Sequence, residues 1–117
     1  MAETIIQSKS FNFAVRVVKL YKYLCEEKHE YVLSKQLLRS GTSIGANVRE
    51  AKRAQSMPDF GMKLSISLKE AEESLYWLEL LNATDYLTEE QFNSLYGDCE
   101  ELVKLLSAAT KKVYCKD

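Results

Sequence analysis

The helical pattern of this chain is interrupted at only three places, and each interruption is short. The 117 residues include four Gly and one Pro, the residues that most disfavour a helix interior. The segments between the interruptions are about 18–25 residues long, the length of bundle helices, and short turns place such helices antiparallel. The sequence therefore predicts one all-α domain over residues 1–117, an up-down-up-down four-helix bundle.

The first two helix starts are assigned to serine side chains, which accept hydrogen bonds from the free N–H groups of a first helical turn. Ser8 or Ser10 is predicted to begin helix 1, which ends near Glu27. Ser34 is predicted to begin helix 2, which continues to about Gln55.

The last two starts resemble capping boxes, in which a Ser or Thr is followed three residues later by an acid or a glutamine. Ser56 is such a residue, and Pro58 in the first turn loses no helical hydrogen bond. Helix 3 is therefore predicted over residues 57–81. Thr88 opens helix 4, which is predicted to end near Lys112.

Two glycines fall inside helix 2, where each costs about 1 kcal/mol relative to Ala. Two separate helical segments are one explanation. Close approach of a neighbouring helix is the other, and we favour it because small residues cluster at this level. They are Ser40, Gly41, Ser43, Gly45 and Ala46.

Helix 3 carries apolar residues on two opposite faces. One face is the expected core stripe: Phe60, Leu64, Leu68, Ala71, Leu75 and Leu78. A helix in a lone bundle needs only one buried face, so the second predicts contact with another subunit. Scattered surface apolar residues would need no explanation, but helix 1 also has apolar residues over about half of its circumference. The candidate oligomer interface consists of Met62, Ile66, Trp77 and Leu80.

Charge is segregated along the chain although the net charge is only −1. Residues 34–63 hold six basic and two acidic groups, whereas residues 64–107 hold two basic and ten acidic groups. A basic helix face contacts phosphates without reading bases. A solvated face, or arginines paired with the acids of helix 3, is the simpler explanation. The candidate nucleic-acid-binding residues are Lys35, Arg39, Arg49 and Arg53.

Polar groups near the borders of the apolar faces form a candidate structural network, because buried polar groups need partners. Either Arg39 or Arg49 is expected to pair with a carboxylate of helix 3. Such pairs fix the register of two helices more often than they perform chemistry. The network residues are Asn47, Glu50, Glu70 and Glu73.

Catalytic sites find little support in the sequence. The only histidine is His29, at the end of helix 1, so histidine-based triads and di-metal carboxylate sites are disfavoured. No phosphate-binding Gly-x-x-x-x-Gly-Lys loop is present. We predict no enzyme, cofactor, metal or small-molecule substrate.

The cellular location is predicted by elimination. The chain begins Met-Ala-Glu-Thr without a secretory signal and has no apolar run of about 18–20 residues that could span a membrane. Three cysteines, Cys25, Cys99 and Cys115, have no close spacing. They read as buried thiols, or for Cys115 as a surface thiol, in a cytoplasmic protein.

Two segments carry a family resemblance. Residues 39–47 read Arg-Ser-Gly-Thr-Ser-Ile-Gly-Ala-Asn, and residues 69–78 read Lys-Glu-Ala-Glu-Glu-Ser-Leu-Tyr-Trp-Leu. With the residues around them, they closely resemble the bacterial "four helix bundle protein" family, also called the 23S rRNA intervening-sequence protein family. The resemblance covers nearly the whole chain.

The resemblance implies an antiparallel four-helix bundle that assembles into a homopentameric ring. The family is named from reading frames inside intervening sequences of bacterial 23S rRNA genes. It is related to the accessory variability determinant proteins of diversity-generating retroelements, similar pentamers that bind nucleic acid through a basic surface. It implies no catalytic residues.

Two functional hypotheses remain open at this point. The first is a homo-oligomer, a pentamer by resemblance, that binds RNA or a nucleoprotein through the basic face of helix 2. The second is a structural or protein-interaction scaffold that binds no nucleic acid, because its charges are engaged in contacts between subunits.

Overall fold

The computed structural model describes residues 4–114, and within them it contains four α-helices and no β-strand. The prediction of an all-α chain with four helices is therefore confirmed. The helices are α1, Ile5–Lys28; α2, Leu33–Ala51; α3, Met57–Ala83; and α4, Glu89–Tyr114.

Successive helices run antiparallel, as the pairing of residues along α1 and α2 illustrates. Gly41 lies beside Val17, whereas Gly45, further along α2, lies beside Ser10, which comes earlier in α1. Each helix contacts two others, and α4 closes the bundle against α1. Helices α1 and α3 therefore lie at opposite corners of the bundle, as do α2 and α4.

Helix α1 begins earlier than the sequence predicts. Thr4 is the N-cap: its hydroxyl accepts a hydrogen bond from the Gln7 N–H at 3.1 Å, and the Gln7 side chain accepts one from the Thr4 N–H at 2.8 Å. This reciprocal pair satisfies two free N–H groups at once. Ser8 lies inside the helix, and Ser10 is buried and donates to the Gln7 carbonyl. The assignment of either serine as the cap is wrong.

The first N–H groups of helix α2 are bound by a glutamate in the preceding turn, so the assignment of Ser34 as the cap is also wrong. The Glu30 carboxylate accepts hydrogen bonds from the N–H groups of Val32, Leu33 and Ser34 at 2.7–3.1 Å. The Ser34 hydroxyl instead donates to the Glu30 carbonyl at 2.8 Å. One longer side chain thus satisfies three of the four N–H groups that a helix start leaves free.

The remaining helix boundaries agree better with the sequence. Helix α2 ends at Ala51, about one turn before the predicted Gln55. The Ser56 hydroxyl accepts from the Asp59 N–H at 3.2 Å, and Thr88 exchanges two hydrogen bonds with the glutamine three residues later. Both predicted caps are confirmed.

Gly41 allows α1 to approach α2 closely. A Cβ atom on Gly41 would lie 2.8–3.3 Å from side-chain carbons of Val17, which is fully buried and, as a β-branched residue, stiff. Helix α2 also continues without a break through Gly41 and Gly45. The close-approach explanation is confirmed, and the explanation by two separate helical segments is wrong.

Small polar side chains fill the contact between α2 and α3. Buried Ser40 and Ser74 share a hydrogen bond of 2.8 Å, and buried Ser67 donates to the Ile44 carbonyl at 2.8 Å. Because serines are short, the two helices lie close together in a fixed register. This register determines which outward residues of α2 and α3 meet.

Candidate functional site

Arg39, one of the four candidate nucleic-acid-binding residues, is engaged within the bundle. Its guanidinium contacts Glu70 Oε1 at 3.3 Å and also bonds Glu73. These contacts, above all the hydrogen bond with Glu73, raise the pKa of Arg39. A phosphate at this position would have to compete with two carboxylates that are already in place.

Glu73 also holds the tryptophan of α3. The Trp77 indole N–H donates to Glu73 Oε2 at 2.9 Å. This hydrogen bond, aided by the Arg39 guanidinium, outweighs burial and lowers the pKa of Glu73. Arg39, Glu70, Glu73 and Trp77 thus form one cluster that ties α2 to α3. Of the two arginines that the sequence offered for this pairing, the structure places Arg39 there and not Arg49.

Asn47 and Glu50, which the sequence grouped with Glu70 and Glu73, lie apart from that cluster. The Asn47 amide donates to the Ser43 carbonyl within α2 at 2.9 Å. Glu50 pairs at 3.0 Å with Lys63 of α3, and this contact raises the pKa of Lys63. The polar residues therefore form two separate links between α2 and α3 and a local contact inside α2, not one network.

A groove of about 720 Å³ lies between α1 and the second half of α2. Arg49 and Arg53 are exposed, contribute to its lining and make no ion pair with any of residues 4–114. Arg53 lies in the turn after α2, not in the helix as predicted, yet it lines the same groove as Arg49. We call this the α1–α2 groove; its lining includes Phe11, Ala14, Gly45, Ala46, Arg49 and Arg53.

Lys35 does not belong to the groove. It is exposed in the first turn of α2, whereas Arg49 is in the last turn, about 20 Å away along the helix axis. The predicted basic stripe is therefore divided into an isolated lysine, an arginine paired with carboxylates and two arginines at the groove.

The candidate interface residues of α3 differ in whether they pack against the core of their own bundle. Trp77 packs against the core, whereas Met62, Ile66 and Leu80 do not. Met62 is 57% exposed. Tyr76, which was not among the predicted interface residues, is 56% exposed and lies on the same side of the helix as Met62 and Leu80. The spacing of these residues along α3 was a signal available in the sequence. We define the outer face of α3 as Met62, Ile66, Tyr76 and Leu80.

Helix α1 also presents apolar side chains to the outside. Phe11, Val15 and Val18 follow a spacing of four and three residues, which places them on one face, and all three are exposed. Phe11 is 54% exposed and lines the α1–α2 groove, which Val15 and Val18 do not. Because α1 and α3 occupy opposite corners, their exposed apolar residues point away from each other.

Metal-binding and membrane-spanning features are not found in residues 4–114. No group of three or more His, Cys, Asp or Glu side chains there is arranged to hold a metal ion. None of the helices combines the length and the apolar character that crossing a membrane requires. His29 is exposed, and its Nδ1 lies 3.1 Å from the Tyr31 hydroxyl.

The cysteines lie in different surroundings. Cys99 is fully buried, its thiol donates to the Ala71 carbonyl at 3.3 Å, and burial raises its pKa to about 12. Cys25 is half-buried. Cys115, predicted as a surface thiol, lies outside the described residues.

Comparison with known proteins identifies the family. The profile of the 23S rRNA-intervening sequence protein family matches residues 2–108. The chain is also similar to a protein of unknown function from the S23 ribosomal protein family of Bacteroides thetaiotaomicron, whose crystal structure is known. The identity is 57%, the match covers 92% of this chain and 96% of that one, and the TM-score is 0.90. No curated protein matches. The chain therefore belongs to the 23S rRNA-intervening sequence protein family.

Proposed function

We propose that this protein is a non-enzymatic homo-oligomer whose subunits meet through the outer face of α3, and that the assembly binds RNA or a nucleoprotein through Arg49 and Arg53. The observation that carries the proposal is the pair of apolar surfaces at opposite corners of the bundle, neither of which the fold itself uses. Lys35, about 20 Å from Arg49 along α2, adds a further positive charge to the surface of the assembly.

The position of the two apolar surfaces favours head-to-tail assembly over a two-fold dimer. A two-fold dimer uses the same patch on both subunits, whereas two different patches that face apart join subunits head to tail. The outer face of α3 in one copy would then cover Val15 and Val18 of the next. Head-to-tail contacts close into a ring when the rotation allows it, and the family resemblance favours five subunits.

The RNA part of the proposal rests on unpaired positive charge. The guanidiniums of Arg49 and Arg53 contact no carboxylate of residues 4–114. By contrast, Arg39 pairs with Glu70 and Glu73, and the Lys63 ammonium pairs with Glu50. Free guanidiniums bind phosphates through paired N–H groups. A ring repeats the two arginines in every subunit and so strengthens the field of a chain whose net charge is only −1. The family's name points to ribosomal RNA sequences as the first RNA to test, and an RNA partner fits the cytoplasmic location that the sequence predicts.

Filter binding with structured RNA at low salt tests this proposal. We expect wild-type protein to bind with an affinity that falls steeply as salt rises, and Arg49→Glu/Arg53→Glu to bind at least tenfold more weakly. Lys19→Glu/Lys28→Glu is the matched control, because it makes the same change in net charge at exposed residues of α1. Equal affinity of wild type and the arginine variant, or no binding by wild type, would refute RNA binding through this surface.

A scaffold that binds no nucleic acid is the second candidate function. The pairing of Arg39 with two carboxylates of α3 favours this candidate, because a positive charge of α2 there serves the contact between helices. If Arg49 and Arg53 likewise pair with acids of a neighbouring subunit, the double reversal lowers the mass of the assembly in light scattering. An unchanged mass argues against this candidate.

A further inference from the structure

The α1–α2 groove combines two features that the fold does not require. The first is Phe11, whose ring is 54% exposed and does not pack against the core. Burying a Phe side chain stabilises a protein, and an exposed ring forgoes most of that stabilisation. The second is the unpaired charge of Arg49 and Arg53, on the opposite side of the same groove.

The space between these features is open because the residues there are small. Ala14 on α1 and Gly45 and Ala46 on α2 also line the groove. The acid at the groove, Glu50, is held by Lys63 of α3, so it is partly neutralised. The groove therefore offers an aromatic face and three cations, Lys52 and the two arginines, that pair with no carboxylate of residues 4–114.

An exposed aromatic ring next to arginines is the arrangement that binds single-stranded nucleic acid. Bases stack on the ring and the neighbouring phosphates contact the cations, with little dependence on sequence. Bases that remain stacked inside a duplex are not available to stack on such a ring, and proteins recognise a duplex through its shape and backbone.

We infer that the α1–α2 groove binds single-stranded RNA, with a base stacked on Phe11 and the adjacent phosphates held by Arg49 and Arg53. This inference rests on the RNA binding proposed above and specifies its ligand. Val15 and Val18, which lie outside the groove, remain available for subunit contact.

Fluorescence anisotropy with a labelled ten-nucleotide oligouridine, and with an RNA duplex of the same length, tests the inference. We expect Phe11→Ala to weaken binding of the single strand by about 5- to 100-fold, the range for loss of one stacked base, and to leave duplex binding unchanged. Phe11→Trp retains affinity, and its fluorescence is quenched when the oligonucleotide binds. Tyr31→Ala, a truncation of an exposed aromatic residue outside both the groove and the proposed subunit contact, is the matched control and has no effect.

The outcomes separate this inference from the proposal on which it rests. If Arg49→Glu/Arg53→Glu weakens RNA binding but Phe11→Ala does not, the inference is wrong and binding through charge stands. If wild type binds no RNA, both are wrong. Polyglutamate that displaces the oligonucleotide at equal concentration of charge would identify an acidic peptide as the occupant. A lower solution mass for Phe11→Ala would identify a second copy, and either of these two results overturns the inference.

Discussion

At the scale of single residues, Glu30 contributes most to defining a helix boundary. Burial alone would raise the pKa of Glu30, but hydrogen bonds from the N–H groups of Leu33, Ser34 and Val32 outweigh it, so the pKa lies below its usual value of 4.5. The carboxylate is more stable in the folded chain than in the unfolded one. Its contribution to the free energy of unfolding is therefore present above pH 4.5 and is lost as pH falls through the lowered pKa.

We predict that Glu30→Ala lowers the free energy of unfolding by about 1–2 kcal/mol at neutral pH, the effect of losing a helix cap. The difference from wild type should shrink as pH falls below 4.5. Urea unfolding followed by circular dichroism at pH 7 and pH 3.5 measures it. Glu27→Ala, at an exposed residue of α1, is the control and should change little. An equal difference at both pH values would mean that the carboxylate charge plays no part.

Single residues also show why some boundaries could not be read from the sequence. The first two starts were assigned to serines, yet Glu30 accepts from three N–H groups at the start of α2, and Thr4 and Gln7 satisfy two N–H groups reciprocally at the start of α1. Thr4 and Gln7 have the same three-residue spacing as Thr88 and Gln91, so the sequence did contain a signal for the start of α1. Ser56 and Thr88 were predicted correctly because their partners lie three residues away and form a recognisable local pattern. Glu30 precedes Ser34, the predicted cap of helix 2, by four residues and lies in the turn before the helix. Local sequence patterns do not predict the shape of that turn.

At the scale of helices, the packing of α1 on α2 depends on which residue of α1 lies opposite each glycine of α2. A Cβ on Gly41 would meet the stiff, buried Val17 at 2.8 Å, whereas a Cβ on Gly45 would meet Ser10 at 3.4 Å, an ordinary contact distance. The two positions lie one turn apart in the same helix, so the same substitution gains the same helix propensity at both.

We predict opposite effects of alanine at these positions. Gly41→Ala should destabilise by up to about 2 kcal/mol, because a clash of about 1–3 kcal/mol opposes a gain in propensity of about 1 kcal/mol. Gly45→Ala should stabilise by up to about 1 kcal/mol, since the gain meets no clash. Thermal unfolding of the two variants beside wild type measures both effects. A Gly41→Ala variant that is as stable as wild type or more stable would show that Val17 does not limit the approach of α1.

Helix faces explain how much of the candidate site was predictable. The four helices and the core stripe of α3 follow from periodicity, which backbone geometry determines locally. The basic stripe of α2 did not remain one site, because the register of α2 on α3 brings Arg39 to Glu70 and Glu73 and leaves Arg49 at the groove. The register of α2 on α3 depends on hydrogen bonds that buried serines make between the two helices. A helical wheel of one helix cannot predict contacts between two helices.

At the scale of the whole molecule, two groups of apolar residues lie on the outside of the bundle and are not covered by it. The outer face of α3 and the exposed valines of α1 lie at opposite corners, and neither contributes to the bundle core. Trp77, which the sequence placed with the outer face, packs against its own core and bonds Glu73. A charge at Trp77 would damage the bundle itself, so Met62 and Leu80 are the better positions at which to test subunit contact.

The solution mass of Met62→Glu/Leu80→Glu beside wild type, measured by light scattering, tests the central claim most directly. We predict that wild type has a mass several times the 13.4 kDa of one chain, five times for the proposed ring, and that the variant is monomeric with its helical circular dichroism retained. Ile5→Glu/Met57→Glu, at exposed apolar residues off the outer face, should keep the wild-type mass. A monomeric wild type, or an unchanged assembly in the Met62 and Leu80 variant, would contradict the account.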